Sequence, residues 1–523
     1  MSTKTGKKMG FWTALAMMVG SIVGIGIFFK SNGILRANDW NGISTLMSWI
    51  IGGVFSIAAA ISFSEIGSMK VGSVSSLGAW GEKTIGKRFG YFTRFNYSFF
   101  YYGLYIPIMG IFSGEMLFKM LEMGGVYKDM NQSIPFYASA LTGLGISFFF
   151  MWMNFFSTRA GGIFQTVTTI LKWVPLILVA AVGLSLATTN FLNPKNRLAF
   201  DSEALISKER YGENAFNNGT TFSFTGMLAG VPAVLFAFDS FLNAANMRHK
   251  MSKPDQVPLV ITVGILSTAT LYFLIALAAI LHGSGNVSGG PDANGSGIFD
   301  QVFKHDVATK MGIFTYVFLT ISTFGVTNGM IASGNEMISQ SIDNNTFFGA
   351  KSMKKKFSKN FTTMMILGII VLFWWLVTAI PAIILDSDIF VDGVSNFPTV
   401  FFFAIYAIVI FSYLKKRDRM KTKKINDKLF KTMAWTAIIG IGIFIIYTMT
   451  YGFLISAIID PENDIHWGLM HDRNHIAYAY YGAIYISVFM ILFFMFPYLN
   501  KFLTKKYEDN EVIKNTFLKS EIE

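Results

Sequence analysis

The sequence predicts an all-α, polytopic membrane protein with twelve transmembrane helices. Three observations lead there. Of 523 residues, 52% are hydrophobic and only 14% charged, whereas a soluble domain carries about 25% charged residues. The apolar residues come in blocks long enough to cross a hydrocarbon core of about 30 Å as helix. Lysine and arginine crowd into alternate connecting segments, the pattern of the positive-inside rule. The net charge of +12 is therefore read as a topology signal and not as a nucleic-acid surface.

In chain order, residues 1–10 form a short basic tail with Lys4, Lys7 and Lys8. They lead into a long span without a small-residue cleavage site, so the tail is expected to be cytoplasmic and not a signal peptide. The spans are expected at about 11–37, 43–68, 89–122, 134–156, 161–189, 221–248, 256–282, 311–340, 361–385, 396–414, 430–458 and 475–500. Arg94 and Lys172 are the cations assigned to span interiors. The segment 415–431 is the strongest inside marker, with Lys415, Lys416, Arg417, Arg419, Lys421, Lys423 and Lys424. The run Lys354, Lys355, Lys356 marks the same side. Asp386, Asp388, Asp392, Asp460, Glu462 and Asp464 lie in outside loops. A short surface helix is expected from Gly297 to Lys310. Residues 501–523 are charged and form a cytoplasmic tail. The membrane-spanning body thus runs over 11–500.

The absence of cysteine excludes disulfides, thiolate metal sites and thiol nucleophiles. Only six histidines are present, mostly outside spans, and no nucleophile–base pair or ligand cluster is evident, which argues against a membrane enzyme. A channel would need a repeated filter or a ring of like charges, and neither is visible. No cofactor, metal site or nucleic-acid partner is expected.

Span one carries Gly20, Gly24 and Gly26 in the run Met-Val-Gly-Ser-Ile-Val-Gly-Ile-Gly-Ile-Phe. Glycine costs about 1 kcal/mol in a helix interior relative to alanine. Gly20 and Gly24 alone fit close packing through small residues. The added Gly26 favours a helix broken near the midplane, the usual position of a transporter's binding site. Lys172 lies ~20 Å along span five, too deep to snorkel, and Asp239 lies near the middle of span six. Ionisable groups at such depth are candidates for function. The alternative for both is a buried structural pair, even with one another. Ser322, Thr323, Gly325, Thr327, Asn328 and Gly329 in span eight fit close helix packing.

Together these runs resemble the amino acid–polyamine–organocation (APC) superfamily of permeases. The resemblance rests on Gly-Ser-Ile-Val-Gly-Ile-Gly-Ile-Phe in span one and on Phe164-Gln165-Thr166-Val167 with Lys172 in span five. It rests also on Phe236-Ala237-Phe238 in span six, Lys253-Pro254 with Pro258, and Ser322-Thr323-Phe324-Gly325 with Asn328-Gly329. It covers about residues 10–340. It implies a LeuT-like 5+5 inverted repeat, with repeat one at about 11–189, repeat two at about 221–414, extra helices at about 430–500, and spans one and six both broken. It further implies that the backbone of Ile22, Val23, Gly24, Ile25 and Gly26 holds a substrate carboxylate. The amine would fall to Phe236, Ala237 and Asp239, with Phe236 closing over the substrate. Lys172 would match the family's lysine near the span-one break, its ammonium taking the place of a sodium ion, which implies proton coupling or exchange over sodium coupling. Two departures stand out. Ser240 replaces a glycine common at the span-six break, and Lys250 and Glu336 take the places of an acid and an arginine.

The expected function is secondary active transport of amino acids across the cytoplasmic membrane by alternating access. Asp239 inclines the expectation toward cationic amino acids or polyamines, and the alternative is a neutral amino acid. The expected partners are that small molecule, protons and the lipid bilayer. Oligomeric state is left open.

Overall fold

The computed structural model describes residues 10–23, 26–38, 41–69, 76–126, 134–190, 221–242, 251–282, 305–344, 346–386, 388–450 and 477–509. Span one is two helices, α1 (Phe11–Ile22) and α2 (Gly26–Ala37). Next come α3 (Gly42–Ile66) and a short α4 (Leu77–Thr84). Span three is α5 (Lys87–Asn96), a π turn at Tyr97–Tyr102 and α6 (Gly103–Met123). Spans four and five are α7 (Phe136–Phe156) and α8 (Thr158–Asn190). Span six begins with α9 (Phe224–Phe238), followed by α10 (Val257–His282) and α11 (His305–Asp343). The remainder is α12 (Ala350–Lys356), α13 (Lys359–Leu385), α14 (Ile389–Val394), α15 (Asn396–Lys416), α16 (Asp427–Tyr447) and α17 (Ala477–Leu503).

Ten helical stretches among the described residues are long and apolar enough to cross a bilayer. The divided span one and the shorter α9 complete the twelve expected spans. One expectation needs correction. His305–Lys310 does not belong to a separate surface helix but forms the first turns of α11, because nothing in His-Asp-Val-Ala-Thr-Lys breaks a helix. Residues 297–304 lie outside the described residues, as do Lys250 and the tail beyond residue 509.

The packing fits the arrangement expected of two five-span halves. The first four spans of the first half each pack on the matching span of the second: α2 on α9, α3 on α10, α6 on α11 and α7 on α13. The first two pairs form one bundle and the last two form a second. The fifth spans bridge the bundles. α8 packs on α10 and α11, while α15 packs on α3, α9 and the π turn. Outside this core, α16 packs on α15 and α3, and α17 meets α13 and α15 through rings such as Trp374–Phe489 and Phe401–Phe493.

The faces of α8 show how this orients the site. Ile163, Val167, Ile170, Val174 and Ile177 are exposed at helical spacing. Such an apolar stripe can be solvated only by lipid tails. Thr168, Thr169, Lys172, Leu176 and Val179 occupy the opposite, buried face. The lipid-facing stripe therefore aims Lys172 inward.

Candidate functional site

α1 ends where Val23 takes up extended backbone angles, φ −69° and ψ 97°. A helix end leaves its last carbonyls without helical partners, and burial makes other partners necessary. Two are supplied from neighbouring spans. Lys172 Nζ donates to the Gly20 carbonyl at 2.8 Å, and the Tyr272 hydroxyl on α10 donates to the Ile22 carbonyl at 3.0 Å. Both donors meet the negative end of the α1 dipole, the favourable place for a cation.

α2 restarts at Gly26. A Cβ added there would lie 2.9 Å from Ala237 Cα and 3.2 Å from Ala237 Cβ. The start of α2 thus rests directly on the last turn of α9, and only glycine permits that approach. Gly20 has a different reason to be small, because a Cβ there would run into the Thr169 side chain. Packing and helix breaking are therefore both served within one glycine run. Ile22 and Val23 are buried beside the break, while Gly24 and Ile25 lie outside the described residues.

Span six breaks next to span one. α9 stops at Phe238, Asp239 is extended at φ −61° and ψ 171°, and Ser240 has φ +74°. A left-handed residue is the position at which glycine is free and other residues are strained. It is the place where the sequence resemblance implied a glycine. Asp239 compensates by accepting the Ser240 N–H at Oδ1, 2.8 Å away. Its own N–H donates to the Phe236 carbonyl at 3.2 Å, so that carbonyl is already partly engaged.

The Asp239 carboxylate, 4% exposed, is held by tyrosines from three elements. Tyr101 of the π turn donates to Oδ2 at 2.8 Å, and Tyr105 of α6 does so at 3.2 Å. Tyr406 of α15 lies 3.5 Å from Oδ1. Tyr105 also shares a hydrogen bond with Thr399. Pro107 lies one turn beyond the π segment. Proline removes a backbone donor and crowds the preceding turn, a local cause for the widened helix that presents Tyr101. Lys172 and Asp239 are not partners of one another, since each is satisfied separately.

A further ionic group escaped the sequence reading. Lys30 on α2 is fully buried. It pairs with Asp392 of α14, donates to the Asp392 carbonyl at 2.9 Å and to Ser395 Oγ at 2.8 Å, and lies 4.8 Å from the centre of the Phe236 ring. The sequence reading named only Arg94 and Lys172 as cations within spans and passed over Lys30, which lies inside span one. The signal available was Asp392 in a loop facing the same side. Glu336 accepts from Gln340 Nε2 at 3.0 Å.

The amino acid permease family model matches residues 9–489. The chain belongs to that family. Among relatives, the permease is similar to an uncharacterized protein of Mycoplasma pneumoniae, 23% identical over 96% of this chain and 94% of that one. It is similar to the serine/threonine exchanger SteT of Bacillus subtilis, at 24% identity over 62% of this chain and 66% of SteT. The glutamate/serine transporter AimA of the same organism is 23% identical over 52% of this chain and 47% of its own. The solved structure of MhsT in complex with L-phenylalanine superposes with a TM-score of 0.54 at 14% identity, covering 83% of the permease and 97% of MhsT. That likeness shows a shared fold.

Proposed function

We propose that the permease carries an amino acid across the cytoplasmic membrane by alternating access, binding it between the broken spans one and six. The observation that supports this most is the contact of Gly26 with Ala237, which sets two helix interruptions side by side. The first turn of α2 offers N–H groups without helical partners and the positive end of its dipole, which suits a carboxylate. The backbone of Ile22 to Gly26 takes that role. The Ala237 carbonyl and Asp239 receive the α-amine, and Phe236 closes over the bound molecule. Lys172 supplies coupling, by proton movement or in exchange. Both chain termini face the cytoplasm, in keeping with the basic 415–431 segment.

A neutral substrate is the reading we favour. Asp239 already accepts from three tyrosines and one N–H, so one α-ammonium is as much positive charge as it can still serve. Asp392, beside Phe236 through Lys30, is already paired with that lysine and so offers little to a second positive charge on the substrate. Serine, named for both SteT and AimA, is neutral and points the same way. A cationic amino acid or polyamine is the second reading, and Asp239 itself is the reason to retain it.

The test is uptake into proteoliposomes of radiolabelled serine, alanine, phenylalanine, glutamate, lysine and ornithine. Asp239→Asn is expected to weaken every substrate alike, and Lys30→Met to admit lysine and ornithine better than the wild type does. Selective loss of lysine and ornithine uptake in Asp239→Asn would replace the neutral reading with the cationic one. Absence of uptake for the whole panel by correctly folded protein would remove both.

A further inference from the structure

The connector from α15 to α16 is tied to the bundle by a buried ion pair. Arg417, 5% exposed, donates from Nε to Glu65 Oε1 at 2.7 Å and from Nη2 to Oε2 at 2.9 Å. Glu65, at the last turn of α3, is fully buried. The Tyr413 hydroxyl at 2.8 Å and the Ile425 N–H at 2.9 Å complete its shell. The guanidinium also donates to the Ile425 carbonyl at 3.0 Å, pairs with Asp427 and covers the Phe430 ring. The Lys423 N–H donates to Ser68 Oγ at 2.7 Å just past α3, and its ammonium to the Asp255 carbonyl at 3.2 Å just before α10. The connector thereby clasps α3 and α10, the second and seventh spans.

The outer side of the same connector is strongly basic. Lys415, Lys416, Arg419, Lys421, Lys424 and Lys428 are all exposed, against the exposed acids Asp418, 3.6 Å from Lys424, and Asp427, already paired with Arg417. Because the segment joins two spans, these cations sit at the level of the lipid headgroups. The Lys415 ammonium lies 4.1 Å from the centre of the Phe411 ring. Phe411 and its ring neighbour Trp435 are themselves exposed on the apolar belt. The charged patch is therefore continuous with lipid-facing aromatics, which a soluble partner would not reach. Clusters of basic residues beside a span attract acidic headgroups.

We propose that this connector docks anionic phospholipid headgroups of the surrounding bilayer, and that docking holds the Glu65–Arg417 clasp closed. The mechanism is electrostatic. Without counter-charge the exposed lysines repel one another and the buried Arg417 at their centre, which loosens the connector. With acidic headgroups that repulsion is neutralised, and Arg417 stays on Glu65.

The test uses the full chain and needs no substrate. Native mass spectrometry counts phosphatidylglycerol retained after detergent extraction. In parallel, Ser68→Cys places a thiol under Lys423 in a chain that otherwise lacks cysteine, and its maleimide labelling rate reports opening of the clasp. Labelling is expected to be about threefold slower in vesicles containing phosphatidylglycerol than in pure phosphatidylcholine, and the difference is expected to vanish near 1 M salt, where screening acts over about 3 Å. Adding Arg419→Gln, Lys421→Gln and Lys428→Gln should lower retention and make labelling the same in both lipids. Undiminished retention in that variant would overturn the proposal, as would labelling in the starting protein that ignores lipid composition. If the triple variant fails to accumulate, Lys421→Gln alone and the salt series decide by the same criteria. Binding of nucleic acid or a soluble protein without any lipid effect would also overturn it.

Discussion

Gly26 is where the side-by-side breaks meet, so it is the place to perturb them. In Gly26→Ala the new methyl would start 2.9 Å from Ala237 Cα and 3.4 Å from Phe236 Cδ1. The nearest atom is backbone, which cannot swing aside as a side chain would. α2 and α9 must therefore separate by several tenths of an ångström. Overpacking of this kind costs about 1–3 kcal/mol. Each 1.36 kcal/mol is tenfold in rate when it falls on a barrier, so uptake should fall by about fivefold to 160-fold. Gly33 on the same helix is the internal control, being exposed with nothing within 4 Å of an added Cβ. Gly33→Ala should therefore gain up to about 1 kcal/mol from helix propensity and leave transport intact. Gly20→Ala falls between, since its neighbour is the Thr169 side chain, which has rotamers to use. The assay is initial uptake per folded transporter, with melting temperature from the same preparation. Wild-type uptake and melting in Gly26→Ala would refute the contact that supports the site. A Gly33→Ala variant as impaired as Gly26→Ala would show that the region tolerates nothing and would remove the inference equally.

Other expectations follow from single contacts. Lys172→Ala leaves the Gly20 carbonyl without its donor and should abolish or uncouple transport while the protein stays folded; a wild-type rate and pH profile would restrict Lys172 to a structural role. Ser240→Gly removes a strained left-handed residue worth about 1–2 kcal/mol, partly offset by greater freedom in the unfolded chain, so melting temperature should hold or rise slightly. A marked fall would show that the Ser240 side chain does something the backbone argument omits. Glu65→Ala strands Arg417 in a buried site, and breaking such a pair costs about 3–5 kcal/mol. Expression and thermal stability should drop sharply, and Glu65→Ala/Arg417→Met should recover part of the loss. No recovery in the double variant would mean that the damage comes from packing and not from the unpaired charge.

The twelve spans were legible because their signal is local, in apolar blocks of the right length with basic residues at alternate ends. The first break was legible for the same reason, since three glycines crowd one turn and a half. The second was not, because the chain there contains neither glycine nor proline. Its cause is Asp239-Ser240, where an aspartate accepts its neighbour's N–H and so replaces a helical bond with a local one. That is turn chemistry hidden inside an apolar run, and it supports a positive φ that glycine would have announced.

The partners of the buried charges were harder to see, for a reason that bears on the chemistry. A buried ionisable group must be satisfied, but its sequence does not say by what. Lys172 is met by a carbonyl that exists as an acceptor only because α1 ends nearby. Asp239 is met by hydroxyls on Tyr101, Tyr105 and Tyr406, from elements 134 to 167 positions away, among 20 tyrosines of which nothing local singles these out. Pairing the two charges with one another was the alternative reading, and it would have neutralised both. Their separation leaves an anion on broken span six and a cation that reaches broken span one from span five, each held by neutral groups. Neutral partners can be exchanged for substrate or for a proton at far lower cost than an opposite charge could be, so the arrangement suits a site that has to bind and release in every cycle.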